Sequence, residues 1–159
     1  MPASYSGAEA AIRARLEANW NTTPIVVENE DPPAPWPPVD ADGLLMPFVM
    51  LEVVNSGSEI VGQGVPGNHP FEYWGLIFAH VFVPKGTGKA LASQYADQIG
   101  EIFRTKTFYD DQQAGCYVRT WSPRHGNGGP AVDEKAPTFG VGDWWCVTMA
   151  CDFEYRHRG

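Results

Sequence analysis

The segment 82–94, FVPKGTGKALASQ, has the composition of a phosphate-binding loop. An apolar run precedes it, a Gly-Lys pair ends at Lys89, and an alanine-rich helical pattern follows. A phosphate loop requires G-x-x-x-x-G-K-[ST], because its glycines let backbone N–H groups approach phosphate and its hydroxyl binds Mg²⁺. Val83 replaces the first glycine and Ala90 replaces the hydroxyl residue. The motif is therefore incomplete, and the segment is interpreted as a strand-to-helix turn.

In this turn, Gly86 and Gly88 are expected to supply backbone freedom, and Thr87 is expected to cap the following helix. The alternative function is that of a small nucleotide-dependent enzyme that uses Lys89. Binding of ATP that a Lys89→Ala variant loses would favour that alternative.

Other residues with catalytic or metal-binding chemistry are dispersed along the chain. Cys146 and Cys151 are five positions apart on a predicted strand, so they face opposite sides of a sheet and do not converge on one ion. The adjacent carboxylates of YDDQQ, Asp110 and Asp111, diverge and are interpreted as part of a polar turn. Single histidines occur at His69, His80, His125 and His157. No catalytic residue, cofactor or metal site is predicted.

Six tryptophans are many for 159 residues. A stacking platform for bases or sugars is conceivable, but tryptophans that alternate with apolar residues on strands favour a core or a subunit interface. Trp36 differs, because it lies among prolines in EDPPAPWPPVDADG, where an exposed aromatic side chain can anchor a partner.

The composition limits the functions open to the protein. The formal net charge is −8 and no basic stripe is visible, so general affinity for nucleic acid is not expected. No apolar run is long enough to span a membrane. The beginning of the sequence lacks the basic and apolar regions of a signal peptide, so the protein is expected to stay in the cytoplasm. Three cysteines favour reduced thiols over a disulfide framework.

Periodic patterns predict a first helix, a first strand and then a β-hairpin. Ser6 and Glu9 have the spacing of a capping box, and an apolar stripe follows through Ala8, Ile12, Leu16 and Trp20. PIVVEN is a short strand from Ile25 to about Asn29. PFVMLEVV and EYWGLIFAHVFV are predicted to pair as a hairpin whose long tip is the loop from Asn55 to Pro70, and the second strand is expected to lie centrally in the sheet.

The second half of the chain supplies a helix and two further strands. The helix is predicted from about Gly88 to Arg104, with its apolar face formed by Leu91, Tyr95, Ile99, Ile102 and Phe103. CYVRTWS and WWCVTMACDFEY are strands, separated by a loop from Ser122 to Asp143, and RHRG is a basic tail. In the last strand, alternate residues from Trp145 to Tyr155 form one apolar face, and the face with Trp144 and Cys146 is more polar.

The order α-β-β-β-α-β-β predicts an α+β fold in a single domain over residues 1–159. A mostly antiparallel twisted sheet carries two helices on one face and has long hairpin loops. The apolar surface of the central strand, and of the Cys146 face of the last strand, exceeds what one such layer buries. That excess favours self-assembly.

The order of these segments resembles the tail terminators of long-tailed bacteriophages and of gene-transfer particles. AIRARLEANW, PIVVENEDPPAPWPP and PFVMLEVV occur in the family's order, and WWCVTMACDFEY closes the domain. The strand–turn–helix segment VFVPKGTGKALASQYADQI carries most of the resemblance, since family members run a strand ending in V-F-x-P into a glycine-containing turn and an alanine-rich helix.

The resemblance implies a ring, hexameric in this family, on the head-proximal end of the tail tube. Such a ring stops tube polymerisation, contacts the tail tube protein and the head–tail connector, and lets DNA pass through its lumen without specific binding. The protein would then be assembled in the host cytoplasm and belong to the virion. A connector or neck protein is the alternative within the particle.

The contacts of such a ring are assigned to three segments: the arm Glu30 to Asp42 and the two long loops 55–70 and 122–143. The interface candidates are Trp36, Phe71 and Phe139. The alternative is that these aromatic side chains hold the loops to their own domain.

Overall fold

The computed structural model describes residues 3–111, 115–130 and 144–159. Two helices and eight strands lie within these residues. In chain order they are α1 Tyr5–Asn19, β1 Ile25–Val27, β2 Phe48–Ile60, β3 Pro70–Pro84, α2 Lys89–Phe103, β4 Thr107–Asp111, β5 Cys116–Thr120, β6 Arg124–His125, β7 Gly129–Pro130 and β8 Trp144–Arg158. The predicted α+β class is confirmed.

The strands form one mixed sheet in the order β1-β2-β3-β8-β5-β4, with β6 and β7 added against β8. All of the pairings are antiparallel except β1 with β2, which run parallel because the proline-rich segment crosses over between them. β3 pairs with β2 on one side and with β8 on the other. The central position predicted for this strand is therefore confirmed, and so is the mostly antiparallel sheet.

One hydrophobic core joins both helices to the same face of the sheet, which we call the inner face. The buried stripe Ala8, Ile12 and Leu16 of α1 faces this core, as predicted. In α2 the buried residues are Ala92, Ala96, Ile99, Gly100 and Phe103, with Leu91, Tyr95 and Ile102 partly buried beside them. The small residues Ala92, Ala96 and Gly100 let this helix approach the sheet closely, whereas the prediction had named only the larger side chains.

The helix caps differ from the prediction. Ser4, not Ser6, is the N-cap of α1, and its hydroxyl accepts a hydrogen bond from the Gly7 N–H at 3.1 Å. Gly88 is the N-cap of α2 and gives no side-chain cap, while the Thr87 hydroxyl donates to the Pro84 carbonyl at 2.7 Å instead. The strand–turn–helix interpretation of this segment is confirmed, but the capping role predicted for Thr87 is wrong.

Four segments predicted to lie outside strands contain strand, and one of them is the loop 122–143, in which β6 and β7 pair with β8. β2 continues to Ile60, so only residues 61–69 form the hairpin tip. β4 runs through Asp111, where a polar turn was predicted, and β8 continues to Arg158 through the predicted basic tail. Each extension pairs with a neighbouring strand, and such tertiary pairing outweighs the low strand propensity of Gly, Ser, Asp and Arg.

Candidate interaction surface

The face of the sheet opposite the helices, which we call the outer face, is formed by every second residue of the central strands. Even-numbered residues of β3 from Glu72 to Phe82 point outward, because side chains alternate along a strand and the odd-numbered neighbours lie in the helix-covered core. The register places β8 residues beside them: Trp74 opposite Glu154, and His80 opposite Thr148. The outer face divides into three zones.

The first zone is an aromatic cluster made by Phe48, Met50, Phe82 and Trp144, with Trp36 packed against it. The rings of Phe48 and Phe82 stack at 4.6 Å between centroids, and Trp36 and Trp144 each meet Phe48 edge-on at 4.9 Å. These contacts show that the proline-rich arm folds over one end of the outer face. The apolar surface predicted for the Trp144 side of β8 is therefore buried here within the chain, with Trp144 only 2% exposed.

The second zone is a polar cluster of Glu52, His80 and Thr148. The two ring nitrogens of His80 lie 2.8 Å from Thr148 Oγ1 and 2.8 Å from Glu52 Oε2. A carboxylate, an imidazole and a hydroxyl that are hydrogen-bonded in this order resemble the relay that activates a nucleophile. The backbone around Thr148, however, is engaged in the β3–β8 ladder, so its N–H groups do not converge on an oxyanion. The geometry favours a satisfied hydrogen-bond network that joins three strands.

The polar cluster could not be found by reading residues singly. The sequence interpretation placed His80 singly in the central strand and did not connect it with Glu52 or Thr148. The register brings Thr148 opposite His80, and it places Glu52 opposite Phe78, diagonally across from His80. The one signal available was that all three are polar residues on outward positions of otherwise apolar strands.

The third zone is an open groove of about 550 Å³, which we call the tryptophan groove. Trp74 and Trp121 lie in its walls and are 38% and 37% exposed. Both rings are held in place: Trp74 lies on Gly57, where a Cβ would come within 2.7 Å of the ring, and the Arg119 guanidinium lies 5.4 Å from the centre of the Trp121 ring. The groove thus presents to solvent two aromatic side chains, each of which packs against a residue of its own chain. The remaining lining residues are Ser56, Glu72, Gly75, Leu76, Ser122, Asp152, Phe153 and Glu154.

The carboxylates of the tryptophan groove are paired with arginines at its rim. Arg156 contacts Glu72 at 2.7 Å and Glu154 at 3.0 Å, and Arg124 contacts Asp152 at 2.7 Å. The Tyr117 hydroxyl donates to Glu154 at 3.2 Å. Partial burial and, secondly, the Glu154 charge raise the pKa of Tyr117, which keeps it a donor. These two arginines offset most of the charge of the three carboxylates, in a chain whose net charge is −8.

The tip of the β2–β3 hairpin is a second exposed apolar feature. Val65 is 66% exposed at its apex. The Asn68 N–H donates to the Val65 carbonyl at 2.9 Å across Pro66 and Gly67, and Gly67 has a φ of 83°. Proline at the second position and a left-handed glycine at the third are typical of a type II turn.

The three interface candidates from the sequence lie apart. Trp36 is half-buried in the aromatic cluster, and Phe71 stacks on His157 at 5.5 Å near the end of the hairpin. Phe139 lies outside the described residues. Trp36 and Phe71 therefore each have a packing role in their own chain, and a contact with a partner stays a prediction. The sequence analysis had not selected Trp74 and Trp121, the two tryptophans whose rings are most exposed.

The cysteines and Lys89 occupy separate parts of the fold. Cys151 is buried in the inner core, where burial raises the pKa of its thiol to about 11, and Cys146 borders the aromatic cluster on the outer face. Their opposite orientation was predicted correctly. Lys89 is exposed at the start of α2. Across the described ranges, no group of three or more His, Cys, Asp or Glu side chains is arranged to hold a metal ion.

Comparisons with known proteins give a fold and no function. No family model matches the chain, and no curated protein matches it. Seven solved chains are similar. One of them, which carries only a sequence identifier as its name, has a TM-score of 0.60 and 19% identity, over 96% of this chain and 95% of its own. At this identity, the likeness shows a shared fold over nearly the whole of both chains.

Neither α1 nor α2, the helices found in the described residues, is long and apolar enough to cross a membrane.

Proposed function

We propose that this protein is a structural component of a virion, a tail terminator that forms a ring, with six subunits as in the family it resembles, on the head-proximal end of a phage tail tube. In this role the ring ends tube polymerisation and offers a surface to the head–tail connector. The protein is assembled in the host cytoplasm and then resides in the virion. The role is structural and involves no catalysis, no cofactor and no membrane.

One observation carries the proposal: a single chain leaves two tryptophan side chains and an apolar hairpin tip exposed. Tryptophan is enriched at the centres of protein interfaces, and contiguous exposed apolar surface marks interaction sites. The order of sequence segments, above all the turn around Lys89, supplies the resemblance to tail terminators. The net charge of −8 supports a lumen that DNA passes without binding.

Electron microscopy of the purified protein, alone and mixed with tail tubes, tests the assembly. Rings with six-fold symmetry, free or at one end of the tubes, are the expected result. A protein that stays monomeric and does not bind tubes would contradict the proposal.

Deletion of the gene distinguishes a terminator from a neck protein. Loss of a terminator gives overlong tails, because nothing stops the tube from growing. Tails of normal length that fail to attach to heads would instead assign the protein to the neck.

A further inference from the structure

We infer that, in the ring proposed above, the hairpin tip of one copy occupies the tryptophan groove of its neighbour. The tip is the turn Val65–Asn68, and the groove lies between Trp74 and Trp121 on the outer face. The inference rests on the proposed function for the existence of a ring. It adds to that proposal the two surfaces, the hairpin tip and the tryptophan groove, through which neighbouring subunits contact each other.

The tip is already folded in the form that would dock. The Asn68 N–H to Val65 carbonyl bond closes the turn, and Pro66 limits the backbone at its second position. Below the tip, His69 and Gly159 exchange two backbone hydrogen bonds, of 2.9 and 3.1 Å, which tie the base of the loop to the end of β8. A pre-ordered loop loses little conformational entropy on binding, so less of the contact energy is spent on ordering it.

The groove is equally pre-formed and matches the tip chemically. Gly57 and Arg119 hold the two tryptophan rings, and Leu76 lies in the wall between them. An exposed valine followed by proline presents aliphatic surface, which can pack against the faces of the two tryptophan rings. A tryptophan wall with a polar rim is also the usual anatomy of an interface centre.

Charge favours this pair of surfaces over others. Two copies of a chain with a net charge of −8 repel each other, so a contact that brings no like charges together is favoured. Residues 61–69, VGQGVPGNH, contain no Asp, Glu, Lys or Arg. In the groove, Glu72 and Glu154 share Arg156, and Asp152 pairs with Arg124. An uncharged tip that meets these paired carboxylates brings no like charges together.

The tip and the groove are different surfaces of one chain, so the contact is head-to-tail. A head-to-tail contact leaves a free tip at one end and a free groove at the other, and repetition closes a ring when the rotation permits. This geometry allows a test that distinguishes a contact between copies from a role of either feature within its own chain.

The test uses Val65→Asp, which puts a charge on the tip, and Trp121→Ala, which opens the groove. Gln98→Asp adds the same charge on the exposed side of α2 and is the matched control, while Trp121→Phe keeps an aromatic wall. Sedimentation and electron microscopy measure assembly, and circular dichroism with thermal melting checks folding. Each of Val65→Asp and Trp121→Ala is expected to weaken self-association at least about tenfold, as for interface hot spots. Gln98→Asp and Trp121→Phe should still assemble.

A mixture of Val65→Asp with Trp121→Ala gives the decisive reading. Only one productive contact exists between them, the tip of Trp121→Ala in the groove of Val65→Asp, so the mixture should stop at dimers. Folded variants that form normal rings would overturn the inference and leave the proposed function intact. A wild-type protein that forms no ring, with or without tail tubes, would overturn the proposed function itself.

Discussion

The inner and outer faces of this sheet are covered to different extents, although the same strands form both. On the inner face, two helices complete a continuous apolar core whose strand residues are almost fully buried. On the outer face, the cover is a proline-rich arm at one end, a hydrogen-bond network in the middle, and nothing from the described residues over Trp74 and Trp121. The difference indicates that stability resides mainly on the inner face and that the open part of the outer face is available for contacts.

The largest effect is expected from truncating the inner core. Phe103→Ala removes a fully buried ring from α2 and leaves a cavity, so it should lower the free energy of unfolding by about 3–5 kcal/mol. Urea unfolding followed by circular dichroism measures the loss. Gln98→Ala, on the exposed side of the same helix, should change stability by less than about 0.5 kcal/mol. Equal losses in both variants would contradict the view that core packing by Phe103 holds α2.

A smaller loss is expected where the arm covers the outer face. Trp36→Ala removes a half-buried ring from Phe48, and we expect a cost of about 2–3 kcal/mol, below that of a fully buried aromatic. Increased proteolysis within residues 30–42 should accompany it, because the arm loses its contact with the sheet. Unchanged stability and proteolysis would mean that Trp36 serves a partner and not its own fold.

The polar cluster should contribute less to the free energy of unfolding than Trp36 does. His80→Ala removes the hydrogen bonds to Glu52 and Thr148, and we expect a loss of about 1–2 kcal/mol in urea unfolding. Thr148→Val removes only one of these bonds at similar side-chain size and should cost about 0.5–1.5 kcal/mol. Because both variants remove the bond between His80 and Thr148, the double variant should cost less than the sum of the two single losses. A cost equal to the sum would show that His80 and Thr148 are not coupled.

The last effect concerns the dependence of stability on pH. On the inner face, burial and, secondly, the Glu9 charge raise the pKa of Tyr5 from 10.0 to about 12. Between these two values the folded protein holds a proton that the unfolded chain has lost, so stability is full below pH 10.0 and decreases as the pH rises toward 12. Tyr5→Phe should reduce this alkaline slope in urea unfolding. A residual slope is expected from Tyr155, whose pKa burial also raises. An identical slope in the wild type and the variant would contradict the assignment to Tyr5.

Local patterns were sufficient to predict the elements that hold the inner core. The stripe Ala8, Ile12 and Leu16 and the alternation from Trp145 to Tyr155 follow helical and strand periods, which depend only on neighbouring residues. The ends of the helices and strands were harder to predict from local patterns. Asn55 to Ile60 and Arg156 to Arg158 contain residues with weak strand propensity, and only pairing with β3 makes them strands.

The candidate surface depended on the tertiary structure to a greater degree. From sequence, Trp36 was expected to be exposed because prolines surround it, and the tryptophans on strands were assigned to a core or a subunit interface because they alternate with apolar residues. In the fold, the arm carries Trp36 onto Phe48, while no described element covers Trp74 and Trp121. Whether a neighbour in space covers a side chain cannot be inferred from its neighbours in sequence.

The amino-acid sequence by itself determined the α+β class, the faces of the helices and of the last strand, and the strand–turn–helix geometry around Lys89. These features follow from side-chain periodicity and from the missing glycine and hydroxyl. The tertiary structure alone decided the parallel pairing of β1, the meeting of Glu52, His80 and Thr148, and the open groove. Each of these depends on the register between strands distant in sequence, which is set by the packing of the whole core.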